Sequence, residues 1–211
     1  MLNTPKQPED PSTPPFWESR YNTGNTGWDI GQPAPPFVDL MAGPDAPPPG
    51  TMIVPGCGRG HDAIFFAQQG FKVTGVDFAH AAIEDARRAA RRAGVAVDFV
   101  ERDLFTLPAS YDHAFKYVLE HTCFAAIPPA RRKEYARLVA RLIEPDGLFI
   151  ALFFTHGNPG GPPFNTTPQE VREIFGPYFS IEKLEPPARS VPQRRGEEHF
   201  ALMRPLAGGR S

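Results

Sequence analysis

With 211 residues the chain has room for one domain with a single real core, and 41% hydrophobic against 22% charged residues is ordinary globular composition. A formal net charge of −2 with pI near 6.3 gives no basic field for phosphate backbones, so nucleic acid is excluded as the expected partner. Two cysteines without CxxC spacing support neither a disulfide framework nor a structural zinc site, and no run approaches the ~20 apolar residues of a membrane span.

Twelve of the 26 prolines fall within the first fifty residues. Residues 1–15 are polar and proline-rich, with no apolar segment of the signal-peptide kind, and are expected to form a disordered tail on a cytoplasmic protein. Residues 16–205 are expected to form a single domain. Its opening stretch, 16–40, sets Phe16, Trp17, Tyr21, Trp28 and Phe37 among Asn, Gly and Pro, and these aromatics have to pack on something.

From Thr51 the pattern alternates between strand and helix. Thr51–Pro55 reads as a strand ending in a glycine turn, Asp62–Gln69 as a helix closed by Gly70, and Phe71–Asp77 as a strand. Ala79–Ala93 is Ala- and Arg-rich with Gly94 behind it, the composition of a helix with a C-terminal stop. Val95–Glu101 and Tyr111–Leu119 read as strands, Pro128–Ile143 as a helix begun by proline, and Leu148–Phe154 as an apolar strand. Thr167–Phe175 reads as a helix, and Phe179–Glu185 and Glu198–Met203 as two closing strands. Such alternation implies an α/β fold with a mostly parallel sheet wrapped on both faces and ligands at the carboxyl ends of its strands.

The first strand runs into Pro55-Gly56-Cys57-Gly58-Arg59-Gly60, where glycines let backbone approach a ligand and the following helix offers free N–H groups. Alone, this turn is equally a tight connection with no ligand. Asp77 follows Gly56 by 21 residues at the end of the second strand, where a carboxylate can accept from ribose hydroxyls, as NAD sites also require. The dinucleotide fingerprint, however, calls for glycine at position 61, which is His61. Asp103 and Leu104 stand at the end of the third strand, and Asp103 could accept from an adenine amine or simply cap its loop. The series Gly56, Gly58, Asp77, Asp103 suits an adenosyl group with an amino-acid tail better than a pyrophosphate.

Trp17, Tyr21 and Trp28, then VPGCGRGHD at 54–62, Asp77, Glu120-His121-Thr122-Cys123-Phe124-Ala125-Ala126-Ile127-Pro128 and Gly160-Gly161-Pro162-Pro163-Phe164 together resemble the thiopurine S-methyltransferase superfamily, nearest its thiol and halide methyltransferase branch. The resemblance covers about residues 15–204. It implies the class I, Rossmann-like fold of S-adenosyl-L-methionine-dependent methyltransferases: a seven-stranded, mostly parallel sheet with helices on both faces. It also implies a methyl group moved from S-adenosyl-L-methionine, leaving S-adenosyl-L-homocysteine, to a small thiol, sulfide, halide or thiopurine. An in-line displacement of this kind needs no metal, and a monomer is expected. In that family an aromatic triplet spaced like Trp17, Tyr21 and Trp28 helps enclose sulfonium and acceptor, and Tyr21 stands where tryptophan is usual. Glu120 and His121 are expected to face the transferred methyl, Glu120 also on the cofactor side. His121 either orients or deprotonates an acceptor thiol, or is a structural histidine. An arginine of the 194–195 pair borders the acceptor by the same resemblance; Arg195 is the expected one, with a solvated charged turn as the alternative. Cys123 reads as a small buried residue.

Overall fold

The computed structural model describes residues 10–207. Seven strands form one sheet: β1 (Thr51–Pro55), β2 (Lys72–Asp77), β3 (Asp98–Glu101), β4 (Phe115–His121), β5 (Ile143–Phe154), β6 (Phe179–Glu185) and β7 (Glu198–Pro205). Their order across the sheet is β3-β2-β1-β4-β5-β7-β6, with β7 antiparallel to both neighbours and the rest parallel. The expected sheet is therefore present. Strand order reverses between β1 and β4, where Met52 and Ile53 pair with Tyr117 and Val118, and the crevice at such a reversal is where open α/β sheets bind ligands.

Seven helices accompany the sheet: α1 (Pro14–Thr23), α2 (Pro35–Ala42), α3 (His61–Gln68), α4 (His80–Ala93), α5 (Cys123–Ala126), α6 (Arg132–Leu142) and α7 (Pro168–Phe175). Helices α2, α3 and α4 cover one face, burying Phe37, Phe66, Phe71 and Ile83; α5, α6 and α7 cover the other, burying Phe124, Tyr135, Phe149 and Phe175. α4 forms because its buried Ala82, Ile83, Ala86 and Ala90 repeat on one stripe, and Gly94 ends it in the left-handed conformation. Each buried aromatic of these layers contributes about 1.5–3 kcal/mol. Among the described residues no helix is long and apolar enough to cross a membrane.

Several boundaries differ from expectation. β4 begins at Phe115 rather than Tyr111, because Ala109–Tyr111 is a tight 3-10 turn and His113 has positive φ. β5 starts at Ile143, inside the expected helix, since α6 ends at Leu142. The expected tail lies largely outside the described residues; its part from Asp10 is a hydrogen-bonded turn leading into α1, which Pro14 begins before residue 16. Proline at the first helical position is preset for that start.

Candidate functional site

A cavity of about 420 Å³ opens at the carboxyl ends of the strands. Gly56, Asp77, Asp103 and Leu104 reach it from strand ends and the loops after them, Trp17, Tyr21 and Trp28 from the N-terminal segment, Phe154 from the end of β5, and Pro162, Pro163 and Arg194 from the segments beyond β5 and before β7. The glycine turn after β1 is fixed by what surrounds it. Gly56 has φ +58°, and a Cβ there would lie 2.7 Å from the Cys123 Sγ; at Gly58, φ +52°, a Cβ would lie 2.9 Å from the Tyr21 hydroxyl. Gly58 does not itself line the cavity but holds this turn.

Asp77 ties the turn to the next strand end. One carboxylate oxygen accepts the Gly58 N–H and the other the Ala79 N–H, each at 2.9 Å. Burial pushes its carboxyl above the ordinary value, while the N–H groups of Ala79, Gly58 and Phe78 pull the other way. Both alternatives weighed for Asp103 are compatible: one oxygen accepts the Phe105 N–H at 2.9 Å and caps the 3-10 turn Leu104–Thr106, while the residue also faces the cavity.

Three aromatic rings stack edge to face over the opening. Trp28 meets Trp17 at 5.1 Å and Tyr21 at 5.6 Å between centroids, with planes near perpendicular. Trp17 donates its indole N–H to the Pro11 carbonyl at 2.7 Å, and Glu18 accepts the Ala81 N–H at 3.1 Å, docking α1 on the start of α4. Asp29, beside Trp28, accepts from Arg59 at 2.7 Å and Gly31 N–H at 2.8 Å and pairs with His61 at 3.1 Å; these partners hold its carboxyl well below the usual range despite burial. Tyr21 puts a hydroxyl over the glycine turn, and burial pushes that phenol above its ordinary value.

Glu120 and His121 do not line the cavity. Neighbours on β4 point to opposite faces of the sheet, and each of these two is taken up by partners on its own face. Glu120 is fully buried under α5 and α6, accepting the Phe124 N–H at 2.7 Å and the Tyr135 hydroxyl, and burial raises its carboxyl to about 7. His121 lies on the other face, with Nδ1 2.7 Å from Asp62 Oδ2 and Nε2 3.1 Å from Arg194 Nη1. Arg195 is exposed and away from the cavity. The 3-10 turn Pro192–Arg194 instead turns Arg194 inward, 4% exposed, near Glu198 at 3.5 Å, over the Phe154 ring at 5.0 Å and donating to the Trp28 carbonyl.

Two further contributors carried no role in the sequence reading. Pro162 and Pro163, noted only as part of a motif, form cavity wall because buried Arg132 holds the loop behind them: it donates to the Phe164 and Asn165 carbonyls at 3.0 Å each and to Glu170 at 2.8 Å. Asp62, the last residue of the VPGCGRGHD run, accepts the Ala34 N–H at 2.8 Å as well as facing His121. Its place on the first turn of a helix after a glycine loop was the available signal.

Comparison with known proteins gives a consistent picture. The family model described as thiopurine S-methyltransferase matches residues 12–203. Thiocyanate methyltransferase 1 of Brassica oleracea is 31% identical over 186 residues, covering 86% of this chain and 81% of the relative. A thiopurine S-methyltransferase of Xanthomonas campestris is 29% identical over 185 residues, covering 81% and 85%. Among solved structures, Burkholderia thailandensis 1,6-didemethyltoxoflavin-N1-methyltransferase, with bound 1,6-didemethyltoxoflavin and S-adenosylhomocysteine, superposes with TM-score 0.74 at 24% identity, covering 90% of this chain and 86% of that one, a likeness of fold.

Proposed function

The chain belongs to the thiopurine S-methyltransferase family, and from that premise we propose that it methylates a small soft nucleophile, with S-adenosyl-L-methionine as donor. The observation that carries the reading is the convergence of the glycine turn, two strand-end acids and the aromatic triplet on one cavity. The residues fit the donor. Gly56 brings bare backbone to the cavity wall, Asp77 and Asp103 offer acceptors for ribose and adenine, and the rings of Trp17, Tyr21 and Trp28 suit a cation, worth about 0.5–2 kcal/mol. When bound, the donor supplies an electrophilic methyl on a sulfonium.

The protein's part is to orient and to exclude water. The aromatic segment covers the opening and the proline wall held by Arg132 narrows it, so an acceptor is confined to few attack directions. Arg194 keeps its Nε–H and one Nη2–H uncommitted among the described residues, and these suit an acceptor anion. No strong base is required, since a thiol of ordinary pKa, ~8.5, is partly ionised near neutrality and a halide has no proton. Glu120 is a structural acid in this reading, buried under α5 and α6 and not part of the cavity lining.

Thiol, sulfide, thiocyanate, halide and thiopurine are the acceptors we propose. Headspace analysis of volatile methyl products from sulfide, methanethiol, thiocyanate and iodide, with a thiopurine arm read by absorbance, tests them. No product from any arm, with S-adenosyl-L-homocysteine binding intact, would overturn the reading. Two free cysteines suit a reducing cytoplasm, and we place the protein there as a monomer, testable by fractionation and sedimentation.

A further inference from the structure

Five residues, most of them far apart in sequence, form one continuous hydrogen-bonded chain beside the cavity. The Ala34 N–H donates to Asp62 Oδ1 at 2.8 Å; Asp62 Oδ2 faces His121 Nδ1 at 2.7 Å; His121 Nε2 faces Arg194 Nη1 at 3.1 Å; Arg194 Nη2 donates to the Trp28 carbonyl. A guanidinium can only donate, so Nε2 presents its lone pair and the single ring proton sits on Nδ1, donated to Asp62. The imidazole is thereby locked in one tautomer with both nitrogens engaged. Phe37 packs edge-on against the ring at 5.8 Å, and the side chains of His121, Asp62 and Arg194 are 9%, 12% and 5% exposed.

We propose that His121 is a positioning residue: with Asp62 it aims the Arg194 guanidinium at the acceptor end of the cavity and, through Arg194, latches the Trp28 segment across the opening. The aim rests on the function proposed above; the latch does not. Glu198, 3.5 Å from Arg194, offsets the arginine's charge but begins the strand that follows its turn, so the hydrogen bonds by which the Arg194 side chain reaches other elements are those to His121 and Trp28. Adjacent residues of the segment are then held by different means, Asp29 by Arg59 and His61, the Trp28 carbonyl by Arg194.

The protein carries its own reporter, since its two tryptophans, Trp17 and Trp28, both lie in this segment. In the ligand-free enzyme, His121→Phe should at least double the acrylamide quenching constant of tryptophan emission, while His121→Gln, which restores an acceptor to Arg194, should stay near wild type. Asp62→Asn gives a near-isosteric second arm. Its amide nitrogen, turned to Nδ1 so that the oxygen still meets Ala34, would move the ring proton to Nε2 and set it against Arg194, so quenching should rise as in His121→Phe. In turnover with thiocyanate, both disrupting variants should raise the acceptor KM about tenfold with kcat within threefold. Unchanged quenching in folded His121→Phe and Asp62→Asn would overturn the latch, whatever the acceptor proves to be. A kcat loss confined to thiols, absent with thiocyanate and not rescued by glutamine, would overturn positioning in favour of a base. Inactive wild type with the quenching pattern intact would overturn the assigned function and leave the latch standing.

Discussion

The Asp77 carboxylate accepts the Gly58 N–H at 2.9 Å, which makes the acid ending β2 and the glycine turn ending β1 a single unit. Asp77→Ala removes the acceptor proposed for the donor's ribose and loosens that turn together. Charged hydrogen bonds contribute about 1.5–3 kcal/mol each, so affinity for S-adenosyl-L-homocysteine should fall roughly 10- to 100-fold by calorimetry. Unchanged affinity would remove Asp77 from the donor site.

Gly58→Ala should cost stability in two separable parts, one for positive φ and one for the approach to the Tyr21 hydroxyl. Removing that hydroxyl relieves only the second. The double variant Gly58→Ala/Tyr21→Phe should therefore melt above Gly58→Ala, recovering about 1 kcal/mol, and still below Tyr21→Phe. Strict additivity of the two substitutions in thermal denaturation would contradict the contact.

Glu120 supplies a pH dependence of known sign. Its folded pKa is about 7 against an ordinary 4.5, because burial outweighs the bonds from Tyr135 and Phe124. Between those values the folded chain holds a proton that the unfolded chain has released, so stability falls as pH rises across the window and remains lower above it, by about 2–4 kcal/mol. Glu120→Gln has no charge to bury. Its melting temperature should gain on wild type between pH 5 and 8, and a constant difference across that range would refute the assignment.

Arginine 194 and its neighbour should separate cleanly. Arg195→Ala alters an exposed side chain and should leave kcat/KM within twofold, whereas Arg194→Ala should lower it at least tenfold for anionic acceptors. Equal effects would show that the inward turn of Arg194 is not what matters.

The elements around the glycine turn were legible because each signal there is local: an apolar strand, glycines at the bend, an acid at the next strand end. α1 was not, since Pro14–Thr23 buries only Phe16 and Tyr21 and shows no apolar stripe, and α2 is eight residues behind a double proline. Gly56, Asp77, Asp103, Leu104 and the aromatic triplet could be placed at the cavity from spacing and resemblance. Glu120 and His121 could not, because strand alternation sends them to opposite faces and the partners that engage them, Tyr135, Asp62 and Arg194, are 15, 59 and 73 residues away. Arg194 rather than Arg195 depended on the phase of a single 3-10 turn.

Because β7 alone runs against the sheet, residues 186–197 begin and end at the same rim as the strand-end loops, yet share no hydrogen-bonded ladder with the strands that carry Gly56, Asp77 and Asp103. In the proposed function, the architecture thereby separates recognition of what gives the methyl from recognition of what receives it. On that reading, replacing this stretch of twelve residues by a relative's is expected to retune acceptor choice while the donor half stays as it is.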